Sequence, residues 1–207
     1  MSRPEPERHS LLLRALYPAI WLLGFAVMTV LGPLRWVGRR HVPRKNGLLI
    51  LANHLADVDP VAIQLSSPRL IHFMGKSELV EIPLLGPAIR WFKTFPVKRG
   101  EPDKSAIQHA VALLKAGECV CIFPEGQLSE SGVLQPLLPG AALIVRLAGV
   151  PVVCCRVANT NRILPYGTLV PRPAFRWVTA TWSKPKAFEK GTDAADILGW
   201  ATDQLSP

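Results

Sequence analysis

The chain has 207 residues, enough for one globular domain with a substantial core and too few for two comfortable ones. Its hydrophobic fraction of 49% is high for a water-soluble enzyme of this size, and the excess lies near the N-terminus, which indicates membrane contact. Of the formal net charge of +9, residues 1–45 supply +6, as eight Lys/Arg less two Glu. Because these cations flank an apolar segment instead of interleaving with aromatic residues, we expect a membrane lipid surface as partner and no nucleic acid.

The apolar segment comprises the twenty uncharged residues between Arg14 and Arg35. That length is about what a helix needs to cross a hydrocarbon core. Two prolines and two glycines interrupt it, so a bent helix or a hairpin lying in one leaflet competes with a straight span, and a buried core helix is a third alternative. Arg39 and Arg40 follow it and favour a membrane-associated protein on the cytoplasmic face. We predict that residues 1–40 are a membrane-anchoring segment and that residues 41–207 form the globular domain.

Short apolar runs alternate with helical patterns along the rest of the chain. The runs predict strands at 48–52, 70–74, 94–97, 119–123, 150–157 and 174–182, and the patterns predict helices at 59–65, 83–92, 103–116, 139–148 and 193–205. The middle strands are continuously apolar, as in a sheet covered on both faces, whereas the last one alternates in the manner of a half-exposed edge strand. The fold class is therefore α/β, a layered sheet flanked by helices, in which ligands bind beyond the carboxyl ends of strands.

The four cysteines, Cys119, Cys121, Cys154 and Cys155, all fall in apolar strand-like runs. Their spacing fits neither a zinc site nor a redox C-x-x-C motif. We expect reduced thiols in the core, and no metal site is evident.

His54 comes two residues after the first predicted strand, which places it at the carboxyl edge of the sheet. An imidazole held there by a carboxylate could take the proton from a hydroxyl group and so allow its oxygen to attack a carbonyl carbon. Asp59 and Asp57 are the nearby carboxylates. Asp59 stands directly before Pro60, where its structural role is to be the N-cap of the next helix. We expect Asp57 to be a solvent-facing turn residue.

Two further stretches follow strands at the same edge. In the first, Phe123, Pro124, Glu125 and Gly126 bring a carboxylate and a flexible glycine next to the predicted position of His54. Their structural alternatives are core packing for the phenylalanine and helix capping or ion pairing for the glutamate. The second stretch, "FPVKRG", has a lysine and an arginine after a strand, which could hold a phosphate or could be solvated surface cations.

The blocks "NHLADVD", "FPVKRG", "FPEG" and "VPVV", in this order, resemble the glycerolipid acyltransferases, in particular the lysophosphatidic acid acyltransferase group. The resemblance runs from about residue 40 to the region "SKPKAFEKG". It implies a sheet of the glycerol-3-phosphate-acyltransferase type and makes residues 41–207 an acyltransferase domain. It also implies transfer of a fatty acyl group from acyl-CoA or acyl carrier protein to the free hydroxyl of a lysophospholipid, with 1-acylglycerol 3-phosphate giving phosphatidic acid as the first expectation. No cofactor is implied beyond the acyl-thioester co-substrate.

The resemblance also assigns roles to residues of this chain. His54 would be the general base that activates the acceptor hydroxyl, and Asp59 would orient it and stabilise the imidazolium. Substrate binding would fall to six further residues: Lys76, Arg99, Phe123, Pro124, Glu125 and Gly126. No acyl-enzyme is implied, because the histidine deprotonates the acceptor directly.

The sequence departs from the family pattern after Gly126. Gln127 and Leu128 replace a threonine and an arginine, and "LLPG" replaces a frequent "FKxG". A neutral Leu128 removes one expected charge from the acceptor site, so glycerol 3-phosphate, lysophosphatidylethanolamine or another lysolipid stay open as acceptors. A non-catalytic lipid-binding protein and a thioesterase that uses water are the alternatives from other functional classes.

Overall fold

A computed structural model of the chain describes residues 11–76, 95–97, 103–168 and 170–207. The described strands are β1 (Leu34–Val37), β2 (Leu48–Ala52), β3 (His72–Lys76), β4 (Phe95–Val97), β5 (Cys119–Ile122), β6 (Val152–Ala158) and β7 (Val178–Trp182). The helices are α1 (Leu11–Leu31), α2 (Asp59–Ser66), α3 (Lys104–Lys115), α4 (Pro139–Ala148), the short α5 (Thr160–Ile163) and α6 (Ala194–Leu205), with a 3-10 turn at Arg39–His41. The predicted helix over 83–92 lies outside the described residues.

The seven strands form one sheet in the order β1-β7-β6-β2-β5-β3-β4. Strands β2 to β6 run parallel to one another. β7 runs antiparallel to β6 and parallel to β1. The carboxyl end of β2 therefore lies at the same sheet edge as the carboxyl end of β6 and the beginnings of β1 and β7.

Helices cover both faces of the sheet, which explains why the middle strands are continuously apolar. On one face, side chains of β2, β5 and β6 pack with α3, α4 and α6. On the other face, the alternate residues of these strands pack with β7 and with Ile63 of α2. The predicted layered α/β fold is confirmed, and β2 and α4 have the predicted limits.

One prediction about the sheet is wrong. Strand β7 alternates between buried and half-buried residues, as its sequence indicates, but it lies between β1 and β6 and is not an edge strand. Alternation reports that one face of a strand is less covered than the other, and it carries no information about lateral neighbours. The outer neighbour is β1, a four-residue strand that sequence patterns missed.

Helix α1 packs along one side against the sheet and α2. Trp21 stacks on Phe25 with ring centroids 5.0 Å apart, and its indole nitrogen donates to the carbonyl of Leu65. Phe25 in turn lies 5.9 Å from the ring of Trp36 in β1. The opposite side of the helix exposes aliphatic side chains: Leu12, Leu16, Leu22, Leu23, Val27 and Val30. Within the described ranges, the structure contains no helix that is long and apolar enough to span a membrane.

The four cysteines are free and buried in the sheet, as predicted. Burial raises the pKa of the Cys119 and Cys154 thiols to about 12 and also raises the pKa of Cys121 and Cys155. Because the thiolate is the reactive form, these side chains are inert core residues at neutral pH.

Candidate active site

His54 and Asp59 meet at the carboxyl end of β2. The Nδ1 atom of His54 lies 3.0 Å from Oδ2 of Asp59, and both side chains are buried. The same carboxylate oxygen accepts backbone N–H groups of Leu55 at 2.6 Å and Ala56 at 2.8 Å. Two N–H donors thus fix the carboxylate, and the carboxylate fixes the imidazole.

The position of Asp59 relative to helix α2 differs from the one that the sequence predicts. The helix α2 begins at Asp59 itself, and its N-cap is Val58, which makes no side-chain capping bond. The predicted N-cap role of Asp59 is therefore wrong, because its side chain turns back toward the preceding loop instead of toward the helix. Asp57 is exposed in that loop, as predicted.

Phe123 packs against one face of the His54 imidazole. Its ring stacks on the imidazole with centroids 3.8 Å apart and an angle of 13° between the planes. Together with Asp59, this contact leaves the imidazole little rotational freedom. Nδ1 is occupied by the carboxylate, so Nε2 is the ring nitrogen available to a substrate.

Glu125 accepts hydrogen bonds from two backbone segments of the site. Its Oε1 accepts the backbone N–H of His54 at 2.7 Å, and its Oε2 accepts that of Gln135 at 2.6 Å. The carbonyl of His54 accepts the N–H of Ser129 at 2.8 Å. Both backbone groups of His54 are therefore engaged by the loop after β5, and neither carboxylate oxygen of Glu125 is free of a backbone partner.

The turn after β5 aims Glu125 at His54. The Gly126 N–H donates to the carbonyl of Phe123 at 3.0 Å, and buried Pro124 takes the second turn position, where its fixed φ is favourable. Gly126 has φ +74°, a conformation that disfavours side chains. A Cβ atom there would also lie 2.5 Å from Cδ1 of Leu138. The backbone conformation is the constraint that explains the glycine, since the exposed Leu138 side chain could move aside.

Two buried polar residues belong to the site although sequence reasoning assigned them no role. Asn53 donates from Nδ2 to the carbonyl of Val157 and accepts the N–H of Val157 at Oδ1, which ties the end of β2 to β6. Ser129 donates its hydroxyl to the carbonyl of Val133. A polar residue directly after a fully apolar strand was the available signal for Asn53, and nothing comparable marked Ser129.

The structure brings together His54, Asp59, Phe123, Pro124, Glu125 and Gly126. Lys76 is the last residue of β3, and its side chain is not among the described atoms. Arg99 lies outside the described residues, so its phosphate-binding role stays a prediction. Across the described ranges, no group of three or more His, Cys, Asp or Glu side chains could hold a metal ion.

The pKa of Glu125 is raised, chiefly because burial disfavours its charged form, although the two N–H donors oppose this shift. A carboxyl group with a raised folded-state pKa stabilises the fold below its ordinary pKa of 4.5, and this contribution disappears as the pH rises through the raised value. We therefore expect the stability of the wild type relative to Glu125→Gln to fall as the pH rises above 4.5. Melting temperatures of both proteins across this range test the expectation.

The exposed Glu130→Gln exchange is the matched control for this comparison, since it removes a carboxylate from the same loop without a buried partner. A difference between wild type and Glu125→Gln that stays constant with pH would contradict the assignment.

A mostly parallel α/β sheet with a buried His–Asp pair at its carboxyl edge indicates an enzyme of the α/β class, and comparisons with known proteins identify its family. The family model described as "Acyltransferase" matches residues 34–158. A 1-acyl-sn-glycerol-3-phosphate acyltransferase of Bacillus subtilis is 31% identical over 61% of this chain and 63% of its own length. A lysophosphatidylcholine acyltransferase of Drosophila melanogaster is 28% identical over 78% of this chain and 28% of its own length.

The structural comparison agrees on the fold. The crystal structure of the 1-acyl-sn-glycerophosphate acyltransferase PlsC of Thermotoga maritima superposes with a TM-score of 0.78 at 20% identity, over 93% of this chain and 78% of that chain. The family model covers more than half of the sequence, so the chain belongs to the acyltransferase family. The chain spans less than two thirds of the length of the two curated relatives.

Proposed function

We propose that this protein transfers a fatty acyl group from acyl-CoA or acyl carrier protein to the free hydroxyl of a lysophospholipid. The acceptor that we propose first is 1-acylglycerol 3-phosphate, and the product is then phosphatidic acid. The observation that carries the proposal is the 3.0 Å contact between His54 Nδ1 and Asp59 Oδ2, buried at the sheet edge where α/β domains bind ligands.

The proposed first step is a proton transfer to His54. Asp59 accepts the Nδ1–H, so Nε2 carries the lone pair that takes the proton of the acceptor hydroxyl. The oxygen forms a bond to the thioester carbonyl carbon, and the carbonyl electron pair moves onto its oxygen. Asp59 stabilises the imidazolium that results, with its own carboxylate fixed by the N–H groups of Leu55 and Ala56.

The second step breaks the carbon–sulfur bond. The electron pair on the oxygen re-forms the carbonyl, the thiolate leaves, and the imidazolium returns its proton from Nε2 to the sulfur. The products are one ester and one thiol, and His54 ends neutral. No covalent bond to the protein forms, so the transfer needs both substrates at the site together.

Glu125 acts in this proposal as a positioning residue. Its two carboxylate oxygens are already bonded to backbone N–H groups of His54 and Gln135, so it fixes the base instead of binding the acceptor directly. Arg99 remains the proposed partner of the acceptor phosphate, and Lys76 remains a proposed substrate-binding residue.

The choice of acceptor depends on the loop after Gly126. Leu128, a neutral and half-buried side chain, stands where the family pattern has an arginine, which removes one phosphate partner. The Drosophila relative is named for a choline lysolipid, and this supports a lysolipid with a larger headgroup as the second candidate acceptor.

We infer a membrane lipid surface as partner from the proposed substrates and from the exposed side of α1. Lysophospholipids reside at a membrane surface, and the exposed aliphatic side of α1 is suited to lie at such an interface. We place the protein on the cytoplasmic face, on the basis of Arg39 and Arg40 after the apolar segment.

The test is an acceptor panel with the purified full chain. Labelled acyl-CoA or acyl carrier protein is supplied with 1-acylglycerol 3-phosphate, glycerol 3-phosphate, lysophosphatidylethanolamine or lysophosphatidylcholine, and the lipid products are separated by thin-layer chromatography. We expect labelled phosphatidic acid as the main product. A different labelled phospholipid would move the assignment to that acceptor, and absence of acyl transfer with every acceptor would overturn the proposed function.

A further inference from the structure

The segment between α5 and β7 presents an unusual surface, here named the basic–aromatic loop and defined as residues 170–177. Three of its apolar side chains are largely exposed, Val170 at 77%, Phe175 at 91% and Trp177 at 59%. Arg172 and Arg176 are exposed between them. The sequence has no acidic residue between Glu130 and Glu189, so these arginines have no acidic neighbours along the chain.

The exposure of these side chains is imposed by a fixed backbone. The Ala174 N–H donates to the carbonyl of Leu31 at the end of α1, at 2.6 Å, and the Ala174 side chain is buried. Asn159 donates from Nδ2 to the carbonyl of Trp177 at 2.9 Å. Between these two anchors Phe175 has φ +52°, a region that bulky residues rarely adopt. The loop thus holds a phenyl ring out of the protein at a conformational cost.

The basic–aromatic loop lies at the sheet edge of the active site. Strand β7 is antiparallel to β6, and Thr179 at its beginning pairs with Ala158 at the end of β6. The residue before that end, Val157, is bonded to Asn53, the neighbour of His54. The loop that leads into β7 therefore emerges from the same edge as the catalytic pair.

Two neighbouring elements extend this surface. Trp177 lines a shallow, open depression together with Leu34, Arg35 and Trp36 of β1, and the exposed Arg35 adds a third cation. On the other side, the loop is bonded to the last turn of α1, whose Val27 and Val30 are exposed.

We infer that the basic–aromatic loop is a second membrane contact of this protein, and that it binds the surface of an anionic phospholipid bilayer beside the active site. Aromatic rings are favoured at the headgroup level, and arginines are attracted to anionic lipid. The continuity with the exposed aliphatic side of α1 favours a lipid surface over an acidic protein as the occupant. The value of this contact for substrate access rests on the proposed function, whereas the binding itself does not.

The test is sedimentation of the full chain with phosphatidylcholine vesicles, with and without phosphatidylglycerol, and without any acyl donor. The double variant Arg172→Gln/Arg176→Gln is expected to bind the anionic vesicles roughly 30-fold less tightly and the neutral ones about as tightly as the wild type does. The variant Phe175→Ser/Trp177→Ser is expected to lose about tenfold or more on both. Phe175→Gly is the folding control, because glycine suits the backbone at that position. A loss of vesicle binding by this variant therefore comes from the missing ring and not from unfolding.

Matched controls lie at the opposite sheet edge. Leu147→Ser and Lys115→Gln/Arg146→Gln change exposed apolar and cationic residues there, and we expect wild-type vesicle binding from both. Loop variants that bind vesicles like the wild type would overturn the inference. The same holds if the loop variants keep vesicle binding and lose only their binding to a purified acyl carrier protein, measured in parallel. Normal vesicle binding by a wild type without acyl-transfer activity would overturn the proposed function and leave this inference standing.

Discussion

Replacing His54 by alanine is expected to lower the rate of acyl transfer about a thousandfold or more, since general-base catalysis typically contributes on the order of 10² to 10⁴. The side chain is the only group of the described site with a free imidazole nitrogen beside the bound carboxylate. The measurement is the initial rate of lipid ester formation from labelled acyl thioester. Circular dichroism and vesicle sedimentation on the same preparation should match the wild type.

His41→Ala is the control for this experiment. His41 lies near the other sheet edge, where its ring nitrogen contacts the carbonyl of Trp182 at 3.3 Å. We expect this variant to keep its acyl-transfer rate. A His54→Ala protein that is folded and retains its rate would contradict the base assignment.

Replacing Asp59 by asparagine is expected to cost nearly as much activity, about 10² to 10⁴ in rate. An amide cannot stabilise the imidazolium as a carboxylate does, and its NH₂ group can hold the imidazole in the wrong tautomer. The exchange also weakens the acceptor of the Leu55 and Ala56 N–H groups, so we expect a loss of about 1–3 kcal/mol in the free energy of unfolding. Steady-state rates and chemical denaturation measure the two effects.

Asp57→Asn provides the matched comparison, since it makes the same chemical change two residues away on an exposed side chain. Its rate and its stability should stay close to those of the wild type. Equal effects of the two exchanges would show that the structure assigns the wrong carboxylate.

The sequence and its family resemblance predicted the pair itself and the layered α/β class of the fold, but not the order of the strands. His54 just beyond an apolar strand, and Asp59 five residues later, are local features, and apolar runs and Pro139 likewise indicated the limits of β2 and α4. The N-cap prediction for Asp59 failed because a proline after an acidic residue marks where a helix begins but not where the side chain points.

The residues that hold His54 in place could not be predicted, because their hydrogen bonds join parts of the chain that are far apart in sequence. Asn53 bonds to Val157, 104 residues away, and Glu125 bonds to His54 across 71 residues. These contacts follow from the strand order, which places β6 and β5 on either side of β2. No periodicity within β1 or β7 could have shown that the alternating strand β7 has neighbours on both sides.

In the proposed reaction the acceptor hydroxyl attacks the thioester directly, with His54 as its base. The most direct measurement is the release of CoA thiol from acyl-CoA, followed by a thiol reagent with and without the acceptor lysolipid. We expect thiol release that depends on the acceptor, matches the phospholipid formed mole for mole, and is lost in His54→Ala. Thiol release at the same rate without acceptor, accompanied by free fatty acid, would contradict the proposed reaction.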